Sequence, residues 1–216
     1  MVTNQDSTGR RAVSGAEPSE TKLKLLRAAE AGIIRQGFAA TTVDEICSDA
    51  GVTKGSFFHY FESKDEMARE VLNYHSQQKN RAFAAVLGRD HIDDPLDQID
   101  RLLDVMIEMV QAPDSPSVCL VGMMAQELAA TNEPVREVCA THFGEGAQQM
   151  TQLLREAQRV VPTKKDFDPE AVALMFVSLL QGSMLMAKTT QNPDLVVSNI
   201  EHGRAYIRSF FKRKGG

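Results

Sequence analysis

Two reciprocal capping signals, with 17 residues of chain between them, constrain this sequence more than anything else in it. Thr42-Val43-Asp44-Glu45 and Ser63-Lys64-Asp65-Glu66 each place a hydroxyl three residues before a glutamate. The hydroxyl can accept the glutamate N–H, and the carboxylate can reach back to the cap N–H, so a helix starts at each. The first helix starts at Val43, with Val43, Ile46 and Ala50 on one face. It must end at Gly51, since glycine tolerates the left-handed conformation that closes a helix. Thr53 then caps another helix before Ser63 opens the next. Three helices in succession result, and the turn between the first two has the length used in helix-turn-helix units.

The middle helix, residues 53–61, carries the polar groups that nucleic-acid recognition uses. Lys54 and His59 are candidates for base edges, and Gly55 allows close approach. Thr42, Thr53, Ser56, Tyr60 and Lys64 suit phosphates, contacts that set register rather than read sequence. Leu26, Ile33, Phe38, Val43, Ile46, Val52, Phe57 and Phe61 read as plain core.

Over residues 25–72 the chain resembles the tetracycline-repressor (TetR) family of bacterial regulators. The residues that carry the resemblance are Gly37-Phe38, Thr41-Thr42-Val43, Ile46, Ala50-Gly51-Val52, Lys54-Gly55-Ser56-Phe57-Phe58, Tyr60-Phe61 and Ser63-Lys64. One position departs from it. The resemblance implies a phosphate-binding tyrosine at Phe58, whose ring lacks that hydroxyl. It also implies an all-α chain with a helix-turn-helix DNA-binding domain and a helical ligand-binding and dimerisation domain. The domain division expected is a disordered tail over 1–18, the DNA-binding domain over 19–66 and the second domain over 67–216.

Charge fits a DNA-binding headpiece only by its distribution. The chain carries −5 overall, yet residues 20–81 hold nine basic and nine acidic residues. All the net negative charge lies in residues 82–216, with 13 basic and 18 acidic. A neutral headpiece must bind through a few placed contacts, doubled by dimerisation. In the tail, Arg10-Arg11 is the only basic pair; it is either solvated or an arm that reaches DNA.

Helices follow at regular intervals. Ser19 or Thr21 opens one that runs to Gln36. From Lys64 a helical pattern continues to Leu87 and becomes polar midway, as suits a helix crossing between domains; His75 on it reads as an interface residue. After a polar linker over 88–94, prolines preceded by capping side chains mark helix starts. Asp94-Pro95, Asp168-Pro169 and Asn192-Pro193 are strong markers, and Ser115-Pro116 and Glu133-Pro134 weaker ones. Helices are expected over 95–111, 116–131, 134–160, 169–189 and 193–213, and no strands. The 169–189 segment is apolar on two faces, so one face needs a partner beyond its own domain. With 193–213 it is the expected homodimer interface, a four-helix contact that the resemblance also implies.

The second domain is rich in methionine, a side chain that fills irregular space. Most of these residues read as core. A soft-walled apolar pocket is the functional reading, with Met106, Met123, Phe143 and Phe176 as walls and Glu127, His142 and Gln181 as polar groups; Gln126 and Gln148 are further candidates. The expected partners are double-stranded operator DNA, an unidentified small-molecule effector and a second copy of the chain.

Other chemistry finds little support. Cys139 and His142 share a helical face but supply at most half a metal site, and the remaining histidines and cysteines lack zinc spacing. No Gly-rich phosphate loop or nucleophile–base grouping emerges, so no enzyme activity, metal or cofactor is expected. Three widely spaced cysteines, Cys47, Cys119 and Cys139, fit a reduced cytoplasmic protein, with Cys119 a candidate redox sensor. No apolar run approaches the ~18 residues of a membrane span. Two functions remain open beside a ligand-released repressor: a small-molecule binding protein whose headpiece no longer holds DNA, and an α-helical enzyme using the same cavity.

Overall fold

The computed structural model describes residues 18–87, 92–112 and 118–212. Among these the chain is all helical: α1 (Glu20–Gln36), α2 (Val43–Ala50), α3 (Lys54–Tyr60), α4 (Lys64–Leu87), α5 (Pro95–Gln111), α6 (Leu120–Leu128), α7 (Glu133–Val160), α8 (Pro169–Thr190) and α9 (Asp194–Ser209). The expectations for the tail with Arg10-Arg11 and for the Ser115-Pro116 start lie outside the described residues.

Local chemistry sets most helix ends. Ser19 opens α1, its hydroxyl accepting the Lys22 N–H at 3.3 Å. Thr42 caps α2 in a complete reciprocal box, and Gly51 closes that helix at φ 66°. Thr53 caps α3 by accepting the Ser56 N–H at 3.2 Å. Asp94 and Asp168 cap α5 and α8, each with proline in the first turn.

One cap and three helix boundaries depart from the sequence reading. At α4, Ser63 accepts the Glu66 N–H at 3.1 Å, but the Glu66 carboxylate takes the N–H of Glu62 instead of closing the box on Ser63. α6 is shorter than 116–131. It starts behind Cys119, whose sulfur accepts the Gly122 N–H, and ends at Leu128 because Asn132 must cap α7. α7 therefore begins at Glu133 rather than at Pro134. α9 stops at Ser209, short of 213; Phe211 there forms an isolated antiparallel bridge with Thr163, and Lys164 donates its N–H to the Phe210 carbonyl at 2.7 Å. That bridge packs the Phe210 and Phe211 rings around Phe167.

Two apolar clusters hold the helices together, and burial of this kind is the main favourable term in folding. The first joins Leu25, Ile33 and Phe57 of the headpiece and Met67 of α4 to Leu120, Met124, Val135 and Cys139 of α6 and α7. The second gathers α5, the later part of α7, α8 and α9 around Leu103, Leu154, Phe176 and Ile200. Charge reinforces it: Arg204 and Arg208 of α9 pair with Asp97, Asp100 and Asp104 of α5.

α8 is long and apolar enough to cross a membrane by length and composition alone, contrary to the expectation that no segment approaches that measure. It packs instead on α7 and α9, with Val172, Phe176 and Ala187 buried. Its other side leaves Leu174, Leu185 and Met186 exposed.

Candidate nucleic-acid interface and internal cavity

Helix α3 is anchored from below by aromatic rings. Phe57 and Phe61 are buried with ring centroids 5.3 Å apart, which pins one face of α3 in the core. The opposite face carries Lys54, Gly55, Phe58 and His59, all exposed. A Cβ on Gly55 would meet only the Thr53 hydroxyl, at 3.6 Å, so this glycine lowers the outer surface without serving internal packing. Phe58 is 55% exposed, standing edge-on to Phe57.

Several candidate polar groups already have partners. The Lys54 ammonium lies 2.7 Å from Asp44 on α2, an exposed pair. Thr53 and Ser56 hydrogen-bond each other at 3.1 Å. The Thr42 hydroxyl donates to Glu45 at 2.9 Å, and the Thr42 N–H and hydroxyl together hold the Glu45 carboxyl below its usual range. The Tyr60 oxygen accepts the Ser19 hydroxyl at 2.8 Å, tying α3 to the start of α1.

Lys64 sits differently from a free phosphate ligand. Its ammonium lies 4.2 Å from the centre of the Phe38 ring and donates to the Ala39 carbonyl at 3.3 Å. Burial lowers its pKa. The structure thus places it at the turn between α1 and α2.

The same turn receives a carboxylate from the second domain. Glu127 of α6 accepts the N–H of Phe38 at 3.0 Å and of Ala39 at 2.9 Å. Gly37 makes room for it: φ is +89°, and a Cβ there would come 2.8 Å from Glu127 Oε1. Sequence reasoning put Glu127 in a ligand pocket, because a helical glutamate among methionines gives no sign of a partner 88 residues away.

A cavity of about 790 Å³ opens between α4, α5, α7 and α8. Of the residues expected to line a pocket, Met106, His142, Phe143, Phe176 and Gln181 border it, as does Gln148. Met123, Gln126 and Glu127 do not; they lie beside a separate hollow of about 120 Å³ between α6 and α8. Gln181 touches both spaces and fits closely against α6 because residue 122 is glycine.

Sequence reasoning also missed the pair at the cavity's headpiece end. His75 of α4 is buried, and its Nδ1 lies 2.6 Å from Glu30 of α1. Arg27 of α1 donates to the Tyr74 hydroxyl at 3.1 Å one residue earlier on α4. Both pairs fasten the headpiece to the helix that walls the cavity. The three cysteines are buried free thiols, and Cys139 is pushed up to about 11 by burial, which keeps it protonated. Among the described residues no group of His, Cys, Asp and Glu has the arrangement of a metal site.

Comparison with known proteins agrees with this geometry over both halves. The family model described as "Bacterial regulatory proteins, tetR family" matches residues 25–71, and "Tetracyclin repressor-like, C-terminal domain" matches residues 95–202. The chain is 31% identical over 173 residues to the transcriptional regulator AcuR of Cereibacter sphaeroides, covering 79% of this chain and 77% of that one. It is 24% identical over 159 residues to the transcriptional repressor DhaR of a Mycobacterium species, covering 74% and 78%. Among solved structures, a regulatory protein TetR from Rhodobacter sphaeroides superposes with a TM-score of 0.75 at 26% identity, covering 89% of this chain and all of that one. With family models matched in both halves and a relative 31% identical over most of its length, this chain belongs to the TetR family of DNA-binding transcriptional regulators, a non-enzymatic family.

Proposed function

We propose that this regulator is a cytoplasmic homodimeric repressor released from its operator by a small molecule held in the 790 Å³ cavity. The single observation that carries the reading is the wall shared by cavity and headpiece. Helix α4 lines the cavity through His75, Lys79 and Phe83 and also holds α1 through His75 and Tyr74. A molecule that fills the cavity and fits one position of α4 better shifts the headpieces toward the matching spacing. A coupling of ~1–3 kcal/mol is typical, and operator DNA must then weaken the effector by the same factor.

DNA contact falls to the exposed face of α3. Lys54 and His59 meet base edges, and Gly55 permits the approach. Thr42, Thr53, Ser56, Phe58, Tyr60 and Lys64 border the backbone, with Lys64 acting through the α1–α2 turn it braces. Two copies associate through α8 and α9, whose exposed Leu174, Leu185, Met186 and Tyr206 need cover. The operator is then two-fold symmetric, with half-sites ~34–36 Å apart or a multiple of that.

Phe58 and the neutral headpiece support a second reading, a ligand-binding protein with weak DNA affinity. One experiment separates the two: selection of genomic fragments by the full chain, followed by footprinting and sedimentation. A palindromic footprint on a dimer supports the repressor. A monomer, or no selected fragment, leaves the second reading.

A further inference from the structure

The corner of the cavity where α4 faces α7 holds donors without matching acceptors. Lys79 lines it and, among the described residues, makes no ion pair. Across from it, His142 of α7 has Nδ1 at 2.9 Å from the Ser76 hydroxyl. Burial first, then the charges of Lys79 and His75, pull the His142 pKa to about 4, so its ring is neutral. When Ser76 donates to Nδ1, the ring proton sits on Nε2 as a further donor. His75, one turn before Lys79, has Nδ1 engaged by Glu30 and a buried Nε2 with no partner.

Two carboxylates border the same space. Glu30 is held by His75, and Glu145 stands on the exposed side of α7. Neither neutralises Lys79. A half-buried ammonium with no counter-charge is stabilised by an anion, through charge-assisted hydrogen bonds of the stronger kind. One free cation matches a monoanion; a phosphate dianion calls for more. Beyond this corner the walls are hydrocarbon: Phe83, Met106, Phe143, Phe176 and Leu180. The volume lies within the range of pockets that enclose drug-sized ligands, ~300–1,000 Å³.

We propose that the effector is an organic monocarboxylic acid with an apolar body, its carboxylate held by Lys79 and His142 and its hydrocarbon lying against Phe143, Phe176 and Leu180. This rests on the reading of the cavity as the effector site. The site discriminates by charge at one end and by shape at the other. A neutral amide of the same shape leaves Lys79 uncompensated.

The test uses the full chain and two matched probe pairs, 2-naphthoate with 2-naphthamide and octanoate with octanamide, in calorimetric titrations near neutral pH. At least one acid is expected to bind ten-fold or more tightly than its amide. Lys79→Gln, a half-buried helix position whose folding is checked by thermal melting, should erase that preference and spare amide binding. His142→Gln should narrow it. Amides binding as well as acids, a preference unchanged in Lys79→Gln, or no binding by either acid would overturn the proposal. Repeating the titrations with a selected operator fragment isolates the regulator reading. An acid that binds without weakening DNA leaves the ligand class standing and removes the repressor mechanism. An amide that binds better and releases DNA does the reverse.

Discussion

The Glu127 carboxylate accepts the Phe38 N–H at 3.0 Å across the boundary between the second domain and the headpiece, and its other oxygen takes the N–H of Ala39. Ala39 is exposed and would turn its N–H to water, whereas Phe38 is buried and its N–H depends more on this acceptor. Glu127→Ala should therefore cost about 1–3 kcal/mol of stability, since water replaces the acceptor at Ala39 but less readily at Phe38. Its sharper signature is local. Hydrogen exchange at the Phe38 and Ala39 amides should accelerate, while amides in the middle of α1 stay protected. Unchanged exchange at those two amides would show that the turn holds itself.

Phe58→Tyr should tighten DNA binding. The ring is more than half exposed beside the recognition surface, so a hydroxyl reaches solvent without disturbing the Phe57 packing. A hydrogen bond to a phosphate contributes ~1.5–3 kcal/mol before the ring is fixed. Fluorescence anisotropy on a labelled operator should show at least a several-fold gain. The salt slope should stay the same, because a neutral hydroxyl releases no counterion.

Asp44→Asn tests whether Lys54 is available to DNA. The exposed Asp44–Lys54 pair contributes ~0.2–1 kcal/mol at most to the fold, so melting should barely change. Removing the carboxylate frees the ammonium and removes a negative charge close to the recognition helix. Affinity for random DNA at low salt should rise several-fold, and the effect should fade at high salt. Equal affinity at every salt concentration would place Lys54 away from the DNA.

His142 predicts a pH window. Its folded pKa of about 4 lies below the ordinary 6.5, so between these values the unfolded chain binds a proton that the folded one refuses. Stability is unaffected above pH 6.5 and falls as pH drops toward 4, by at most about 3 kcal/mol and by less for a ring that is only partly buried. Urea unfolding at pH 7.5, 5.5 and 4.5 should show a steeper decline for the native chain than for His142→Gln. Parallel declines would mean that the ring is solvated.

Helix starts were legible where the cap and its partner are neighbours in sequence. Thr42, Thr53, Asp94 and Asp168 each bond a backbone N–H two or three residues on, and the sequence contains both ends of that contact. The aromatic base of α3 was equally plain, since Phe57 and Phe61 share a helical face. Roles set by distant partners were not. Glu127 and Lys64 carry ordinary side chains for exposed helix positions, and their roles depend on contacts 25 to 89 residues away; His75 reads as an interface residue, but its partner Glu30 lies 45 residues off. The start of α6 was misplaced for a related reason. Ser115-Pro116 looks like a cap and Cys119 does not, yet it is the cysteine sulfur that meets the Gly122 N–H.

The division of the apolar interior bears on how such a chain can be recombined. Leu25, Phe57 and Met67 share one cluster with Leu120, Met124, Val135 and Cys139, so the cores do not part at residue 66 where the sequence suggests a boundary. A headpiece excised there would bare that shared surface. A chimaera grafting a relative's residues 67–216 onto this headpiece would have to re-fit a foreign α4 and α6 against α1. The second cluster, of α5, later α7, α8 and α9, is free of that obligation. Substitutions that retune which molecule is sensed are best tolerated there, and those that retarget DNA on the outer face of α3. Helix α6 answers to both halves, and so it is the part of this chain least open to exchange.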